Sequence, residues 1–426
     1  MKTITRTFGP GVVGLVCGLA ALVAVAGENR TERTRPWTVG MPIVTYWAGP
    51  AMTDATAQQM ADGGWNLVWC TEPELAVAQH HGLRAQLQDA LLSPANLENP
   101  AQREKLDALI ARVRSHPALY AYYLTDEPNA TNFAGLGRLV SYLRERDPAH
   151  LAYINLFPTY ANNEQLGTPG DTVTAYREHL RQYLDVVKPA LISYDHYQFS
   201  VRGDTDQYFL NLALIRRAAL EARVPFLNIV QACTWTPSMR VPNADEMRYL
   251  VYTTAAYGAQ GISYYVYSCP GHTGMIANAD GTPTSLYPAL KVLNREFAAL
   301  AAQLQPCQSL GVYHTGMLPP GTEPLPQDAA FRLDPPVAAK DYKSPQPVQG
   351  VMLGFFGPPP KKNKPSRPTH VLLVNLNYQA DAAVGLLGPG KLELFDATKD
   401  TWSPVAGKRV ELVLPRGGGK LVRVKR

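Results

Sequence analysis

The chain is poor in charge. Asp, Glu, Lys and Arg make up 18% of its 426 residues, and the net charge is only +5. The basic residues form no dense helical stripe, so a nucleic-acid partner is not expected. The one basic cluster, Lys361, Lys362, Lys364 and Arg367, sits among prolines and reads as a solvated loop. Cysteine is scarce too: Cys17, Cys70, Cys233, Cys269 and Cys307, none in CxxC spacing, which argues against a zinc site. There is no GxSxG elbow, no His-rich ligand set and no phosphate-cradling loop. Gly9-Pro10-Gly11-Val12-Val13-Gly14 spells GxGxxG, but no strand precedes it and no βαβ unit surrounds it. No cofactor and no metal are expected.

A membrane span is also missing. The apolar run Val12 to Val25 falls short of the ~20 residues that cross a bilayer. It belongs instead to a secretory leader over residues 1–26. Lys2 and Arg6 supply the positive start, and Ala24-Val25-Ala26 is a small-x-small cleavage site. The mature chain is expected to begin at Gly27, outside the cytoplasm, secreted or periplasmic, with no stable membrane insertion. In that compartment disulfides are permitted, and Cys233 and Cys269 follow neighbouring strands closely enough to approach each other.

What is abundant is apolar: 46% of the chain, with 22 Tyr, enough for a large core. From Met41 to Leu304 short apolar strands alternate with amphipathic helices eight times. The strand candidates are Met41–Trp47, Trp65–Cys70, Leu83–Leu87, Tyr120–Thr125, Ala152–Leu156, Leu191–Asp195, Phe226–Val230 and Gly261–Tyr267. Between them Leu106, Leu109, Ile110 and Val113 recur at helical spacing, and Asn243 is a good N-cap for a helix over Asp245 to Ala256. Eight βα units in one stretch have the size of a (β/α)8 TIM barrel, here residues 36–305. Residues 306–426 change texture to short strands and turns. They read as a small antiparallel β-sandwich domain, with a Pro-rich linker from Pro319 to Pro347 and a last hairpin at Gly417-Gly418-Gly419.

In such a barrel chemistry gathers at the C-terminal ends of the strands. Strand one ends in Tyr46 and Trp47, strand four in Thr125-Asp126-Glu127-Pro128, and strand five in Asn155. Strand six gives Tyr194-Asp195-His196-Tyr197, strand seven Gln231, Cys233 and Trp235, and strand eight Tyr265, Tyr267 and Cys269. Each aromatic taken alone is an ordinary packed residue. Gathered at one mouth with carboxylates and amides, they suit a sugar, whose hydroxyls want polar partners and whose apolar face wants a ring.

The run Tyr122-Tyr123-Leu124-Thr125-Asp126-Glu127-Pro128 resembles the acid/base segment of (β/α)8 glycoside hydrolases of the retaining clan that includes the family 42 β-galactosidases. Leu373-Val374-Asn375-Leu376-Asn377-Tyr378 and the Gly-rich end are similar to the C-terminal domain of such enzymes. The resemblance implies a glycosidase with Glu127 as acid/base. It departs at two places. Asp126 stands where the clan has Asn. Gln231 stands near the strand-seven position of the clan's nucleophilic Glu, and Gln cannot form the glycosyl ester.

Three mechanisms remain open. Glu127 is the general acid and Asp195 the second carboxylate, as nucleophile at roughly 5 Å or as base at roughly 6.5–9.5 Å. Alternatively Asp126 and Glu127 act as a pair on a substrate whose own 2-acetamido group attacks, which is similar to hexosaminidases. The competing class is a carbohydrate-binding barrel without turnover. Tyr46, Trp47, Asn155, His196, Tyr197, Gln231, Trp235, Tyr265 and Tyr267 are the candidate sugar contacts. N-terminal sequencing of exported material should find Gly27 or a near neighbour first; a mature chain retaining Met1 would contradict the leader.

Overall fold

The computed structural model describes residues 40–360 and 366–425. The leader and Lys361, Lys362 and Lys364 lie outside the described residues. Eight parallel strands are joined in one sheet: β1 (Ile43–Trp47), β2 (Leu67–Cys70), β3 (Arg84–Leu87), β4 (Leu119–Asp126), β5 (Leu151–Leu156), β6 (Ile192–His196), β7 (Phe226–Gln231) and β8 (Gly261–Tyr265). Their order is β1-β8-β7-β6-β5-β4-β3-β2, with helices in the connections, so the sheet is a nearly closed (β/α)8 barrel. The seam between β1 and β2 is closed largely by side chains. Asn66 donates its backbone N–H to Val44 O (3.0 Å) and accepts from Val44 N at Oδ1 (2.8 Å). The Trp69 indole donates to Tyr46 O (2.8 Å).

Strand side chains alternate between two cores, as the period of two requires. Ile43, Leu67, Leu151, Tyr153, Leu191, Leu227 and Ile229 fill the barrel, while Val44, Tyr46, Ile154, Tyr194, Val230 and Tyr264 face the helix layer. The helices carry the expected signals. Leu106, Leu109, Ile110 and Val113 are the buried stripe of Pro100–Val113. Asn243 caps Ala244–Ala256 reciprocally with Glu246.

The C-terminal part holds β9 (Gln308–His314), β10 (Val351–Gly357), β11 (His370–Asn375), β12 (Ala382–Leu387), β13 (Leu392–Asp396), β14 (Thr401–Pro404), β15 (Arg409–Leu414) and β16 (Gly419–Val424). A six-stranded antiparallel sheet runs β9-β10-β11-β16-β13-β14. A smaller one pairs β12 with β15 and with the short strand Arg332–Leu333. The expected last hairpin is not there. β15 pairs with β12, and β16 with β11 and β13, so the Gly417–Gly419 turn carries the chain from one sheet to the other. Close packing fixes that turn: a Cβ on Gly417 would lie 2.5 Å from Asp245 O, and one on Gly419 2.1 Å from Leu373 O.

β10 is buried along its whole length because it separates two cores. Val351, Leu353 and Phe355 meet Leu386, Leu412 and Leu414 of the smaller sheet. Met352 and Phe356 join the core of the barrel's helix layer. Gly354 makes that docking possible, since a Cβ there would come 2.2 Å from Ala256 O, a backbone atom that cannot swing aside. Gly354→Val should therefore lower stability by about 1–3 kcal/mol, as overpacking does. Urea unfolding measures it, and a wild-type midpoint would contradict this account of the interface.

Candidate active site

The mouth of the barrel is a cavity of about 280 Å³ lined by Trp47, Asp126, Glu127, Asn155, Tyr160, Asp195, Tyr197, Trp235 and Tyr265 among others. Two backbone irregularities bring its carboxyls together. In β4 the register to β5 slips between Tyr123 and Thr125, so Tyr123 pairs with Tyr153 but Asp126, not Thr125, pairs with Asn155. This bulge moves Asp126 onto the inward face that Asn155 occupies. Glu127 then takes φ +42°, an uncommon conformation for a side-chain-bearing residue, and its N–H donates to Asn155 O (2.9 Å). Neighbours on a regular strand point to opposite faces; here Asp126 and Glu127 share one cavity. Such strain, of order 1–3 kcal/mol, gathers at functional sites.

Asn155 organises the acids. Tyr153 and Ser193 are 2.7 Å apart, and Ser193 Oγ donates to Asn155 Oδ1 (2.9 Å), which fixes the amide's orientation. Asn155 Nδ2 then donates to Asp126 Oδ1 (3.0 Å) and to Asp195 Oδ1 (2.9 Å). The Glu127 and Asp195 side chains also interact directly. Among the described residues no Lys or Arg lines this cavity. Burial, then repulsion from Asp126, raises the Glu127 carboxyl to about 7. Burial, then repulsion from Glu127 and Asp126, holds Asp195 well above the usual carboxylate range. Asp126, exposed at the rim, is raised by its partial desolvation and opposed by the Asn155 bond. The Glu127–Asp195 pair is built to carry a proton near neutral pH.

The rings form two groups. Trp47, Trp69 and Tyr123 contact one another at centroid distances of 4.8–5.7 Å. Tyr197, Trp235 and Tyr265 make a triangle of 4.7–5.0 Å on another wall.

Four expected sugar contacts do not line the cavity. Tyr46 and His196 sit one residue out of phase with Trp47 and Asp195 and face the helix layer. The Tyr46 hydroxyl accepts from Trp69 N (3.2 Å), and His196 is held by Asn211 (3.0 Å) and Thr205 (3.1 Å). Burial lowers the His196 imidazole to about 4, which keeps it neutral. Tyr267 is buried and donates to Gln59 Oε1 (2.6 Å). Gln231 accepts from Phe199 N (2.8 Å) and donates to Phe199 O (3.1 Å) and Arg240 O (2.7 Å). Its amide is spent bracing loops, and it does not line the cavity. Cys233 and Cys269 are not bonded to each other, and burial pushes the Cys233 thiol up to about 12, away from thiolate chemistry.

The sequence reading missed Tyr160. It follows β5 by four residues, after Phe157-Pro158, and a βα loop at the mouth end was the available signal. Among the described residues Asp54, His80 and His81 have ligating atoms within 4.8 Å of one another, but none of the three lines the mouth. Among the described residues no helix is long and apolar enough to cross a membrane.

No protein-family model and no curated protein matches the chain. Solved structures do. A β-galactosidase from the psychrophilic Marinomonas ef1 is 12% identical over 62% of this chain, with a TM-score of 0.45, and this chain spans 60% of its length. A β-galactosidase from Rahnella sp. R3 is 11% identical over 91% of this chain and 99% of its own, with a TM-score of 0.47. A family 5 mannosidase from Rhizomucor miehei is 10% identical over 62% and 94%, with a TM-score of 0.42. The barrel assignment rests on this chain's own strand order.

The raised acids bear on stability. A carboxyl whose pKa is raised by folding stabilises fully below its unfolded value, and the contribution is lost as pH rises through the folded value. For Glu127 that window runs from 4.5 to about 7. Glu127→Gln should flatten the pH dependence of unfolding there and raise stability above pH 7 by about 2–3 kcal/mol. A residual slope is expected from Asp195 and Asp126, which are raised as well, and from Asp204, which burial raises to about 6. An unchanged profile would mean that Glu127 is not raised.

Proposed function

We propose that the protein is a glycoside hydrolase acting on a carbohydrate chain, with Glu127 as the acid/base. The observation that carries this reading is a carboxyl raised to about 7, set beside Asp195 and Asp126 in an aromatic-walled mouth. Such a group can give a proton to a leaving glycosidic oxygen and take one back from water near neutral pH. The likeness to the clan of the family 42 β-galactosidases extends, on this reading, to the strand-four acid and stops before strand seven. The names of the solved structures above point the same way. The leader makes it an exported protein, and the C-terminal sheets are read as a small sandwich.

Asp195 lies beside Glu127, where more than one role is open to it. Carboxyls that flank a bond stand roughly 5 Å apart for a nucleophile, or 6.5–9.5 Å apart with an intervening water. Here the two interact directly. A direct interaction suits the shorter spacing of a nucleophile better than the wider spacing of a base with its intervening water. A second reading draws on Asp126 and Glu127 sharing one cavity: the attacking oxygen arrives on the substrate's own 2-acetamido group. A carboxylate of the Asp126–Asn155–Asp195 set would then steady that group while Glu127 protonates the leaving oxygen.

Glu127→Gln should lower turnover of unactivated glycosides by 10²-fold or more, with a smaller loss on substrates whose leaving group needs no proton. Asp195→Asn should fall by orders of magnitude if Asp195 attacks or activates water. A nearly normal Asp195→Asn with an inactive Asp126→Asn would favour the substrate-assisted route. Normal hydrolysis of ordinary glycosides by Glu127→Gln would remove Glu127 from the acid role. Binding without turnover on every glycan bound would make the barrel a carbohydrate-binding protein.

A further inference from the structure

The carboxylate cavity does not end at its aromatic wall. A second hollow of about 440 Å³ adjoins it, lined by Tyr160, Tyr197, Thr205, Asp206, Gln207, Trp235, Met239 and Ser344. Tyr160, Tyr197 and Trp235 line both hollows, so the same rings stand between the acids and the outer groove. We infer that this outer hollow is a subsite for the next unit of a non-acidic glycan, so that the protein selects oligosaccharide chains over single sugars. The inference rests on reading the mouth as a carbohydrate-cleaving site.

Three observations carry it. The first is size. Cavities that enclose a small ligand run from roughly 300 to 1,000 Å³, and the 280 Å³ at the acids falls just under that range, room for one ring. A longer chain must leave that cavity, and the adjoining hollow is its continuation. The second is exposure. Among the described residues the exposed large apolar side chains include two aromatics, Tyr160 at 45% and Trp235 at 36%, and both line both hollows. Open ring faces beside a polar cleft are what the apolar face of a sugar ring packs on. The third is charge. Asp126, Glu127 and Asp195 line the inner cavity and Asp206 the outer, while among the described residues no Lys or Arg lines either. A uronate or sulfated unit would meet carboxyls with no cation to offset them. Gln207 and Ser344 offer uncharged hydrogen-bonding groups to hydroxyls.

The groove is assembled from distant parts of the chain. Tyr160 comes from the loop after β5, Tyr197 and Gln207 from the segment after β6, and Trp235 and Met239 from the loop after β7. Ser344 comes from the Pro-rich linker, which is tied to the barrel where Asp204 N donates to Pro345 O (3.2 Å). The linker is thereby a wall of the substrate groove as well as a connection between the barrel and the C-terminal sheets.

The test uses the full-length Glu127→Gln variant, so that binding is read apart from cleavage. Its affinity is titrated by calorimetry for gluco-, manno-, galacto- and N-acetylhexosamine oligosaccharides of one to five units, and for oligogalacturonates. The expected result is a rise of tenfold or more between one and three units in at least one non-acidic series. Adding Trp235→Ala should reduce that rise to under twofold, and Trp235→Phe should retain most of it. Circular dichroism and thermal unfolding confirm that these variants are folded. Binding that does not grow with chain length, growth that survives Trp235→Ala, or a preference for oligogalacturonates would overturn the subsite and leave the hydrolase reading standing. No binding to any series, together with no hydrolysis by the wild type, would overturn both.

Discussion

One amide holds the chemistry of the mouth in place. Asn155 has two N–H groups, and both are given to carboxylates, one on β4 and one on β6. Its carbonyl is occupied by Ser193, so it cannot turn over and offer the acids an acceptor instead. Two acids are thereby drawn together with no Lys or Arg among the described residues lining the cavity, and Glu127 is added beside Asp195. Burial raises all three carboxyls above their ordinary values, and at Glu127 and Asp195 repulsion from the neighbouring acids adds to it. The same arrangement demands the bulge in β4 and the left-handed turn at Glu127. A regular strand would put Thr125 opposite Asn155 and send Asp126 to the other face.

The rim depends on bracing of a different kind. Gln231 bonds the backbone of the loop after β6 and that of the loop after β7, keeping Tyr197 and Trp235 on loops of fixed shape. That segment is held from the far side as well. The Tyr378 hydroxyl reaches both oxygens of Asp204 at 3.0 Å, and Arg240 pairs with Glu246 at 2.7 Å. The C-terminal sheets therefore contribute to the mouth's shape through buried polar contacts. Their own packing needs strands buried on both faces and a glycine where β10 meets the helix Ala244–Ala256. The strained turn, the uncompensated acids and the exposed rings all lie at the mouth, where binding a ligand would offset them.

Much of this was legible in the residues, and each miss has a cause. The eight barrel strands are found within one or two residues of their expected starts, because a strand buried on both faces is a short apolar run between turn residues. β12, Ala-Ala-Val-Gly-Leu-Leu, was not anticipated, since Ala and Gly are poor strand formers and only pairing with β15 makes it one. Trp47, Asn155, Tyr197, Trp235 and Tyr265 reach the mouth as expected. Tyr46 and His196 do not, because reading strand ends without their phase gives adjacent residues equal standing although they point in opposite directions. Gln231 has the right phase, but the loops it braces come from other parts of the chain.

The sequence by itself determined the alternation of strand and helix, the switch to antiparallel strands after Gln305, and the presence of Asp126, Glu127 and Asp195 at strand ends. Those follow from periodicity and local turn chemistry, which a linear chain carries in full. Tertiary structure decided the rest. The bulge that moves Asp126 inward is a relation between β4 and β5, not a property of either. The raised carboxyls are set by burial and by which charges stand nearby. The contact of Glu127 with Asp195 joins residues 68 positions apart, and no local pattern measures that distance. Phase, register and proximity arise only when strands pair, and these are what turned a set of strand-end side chains into one site.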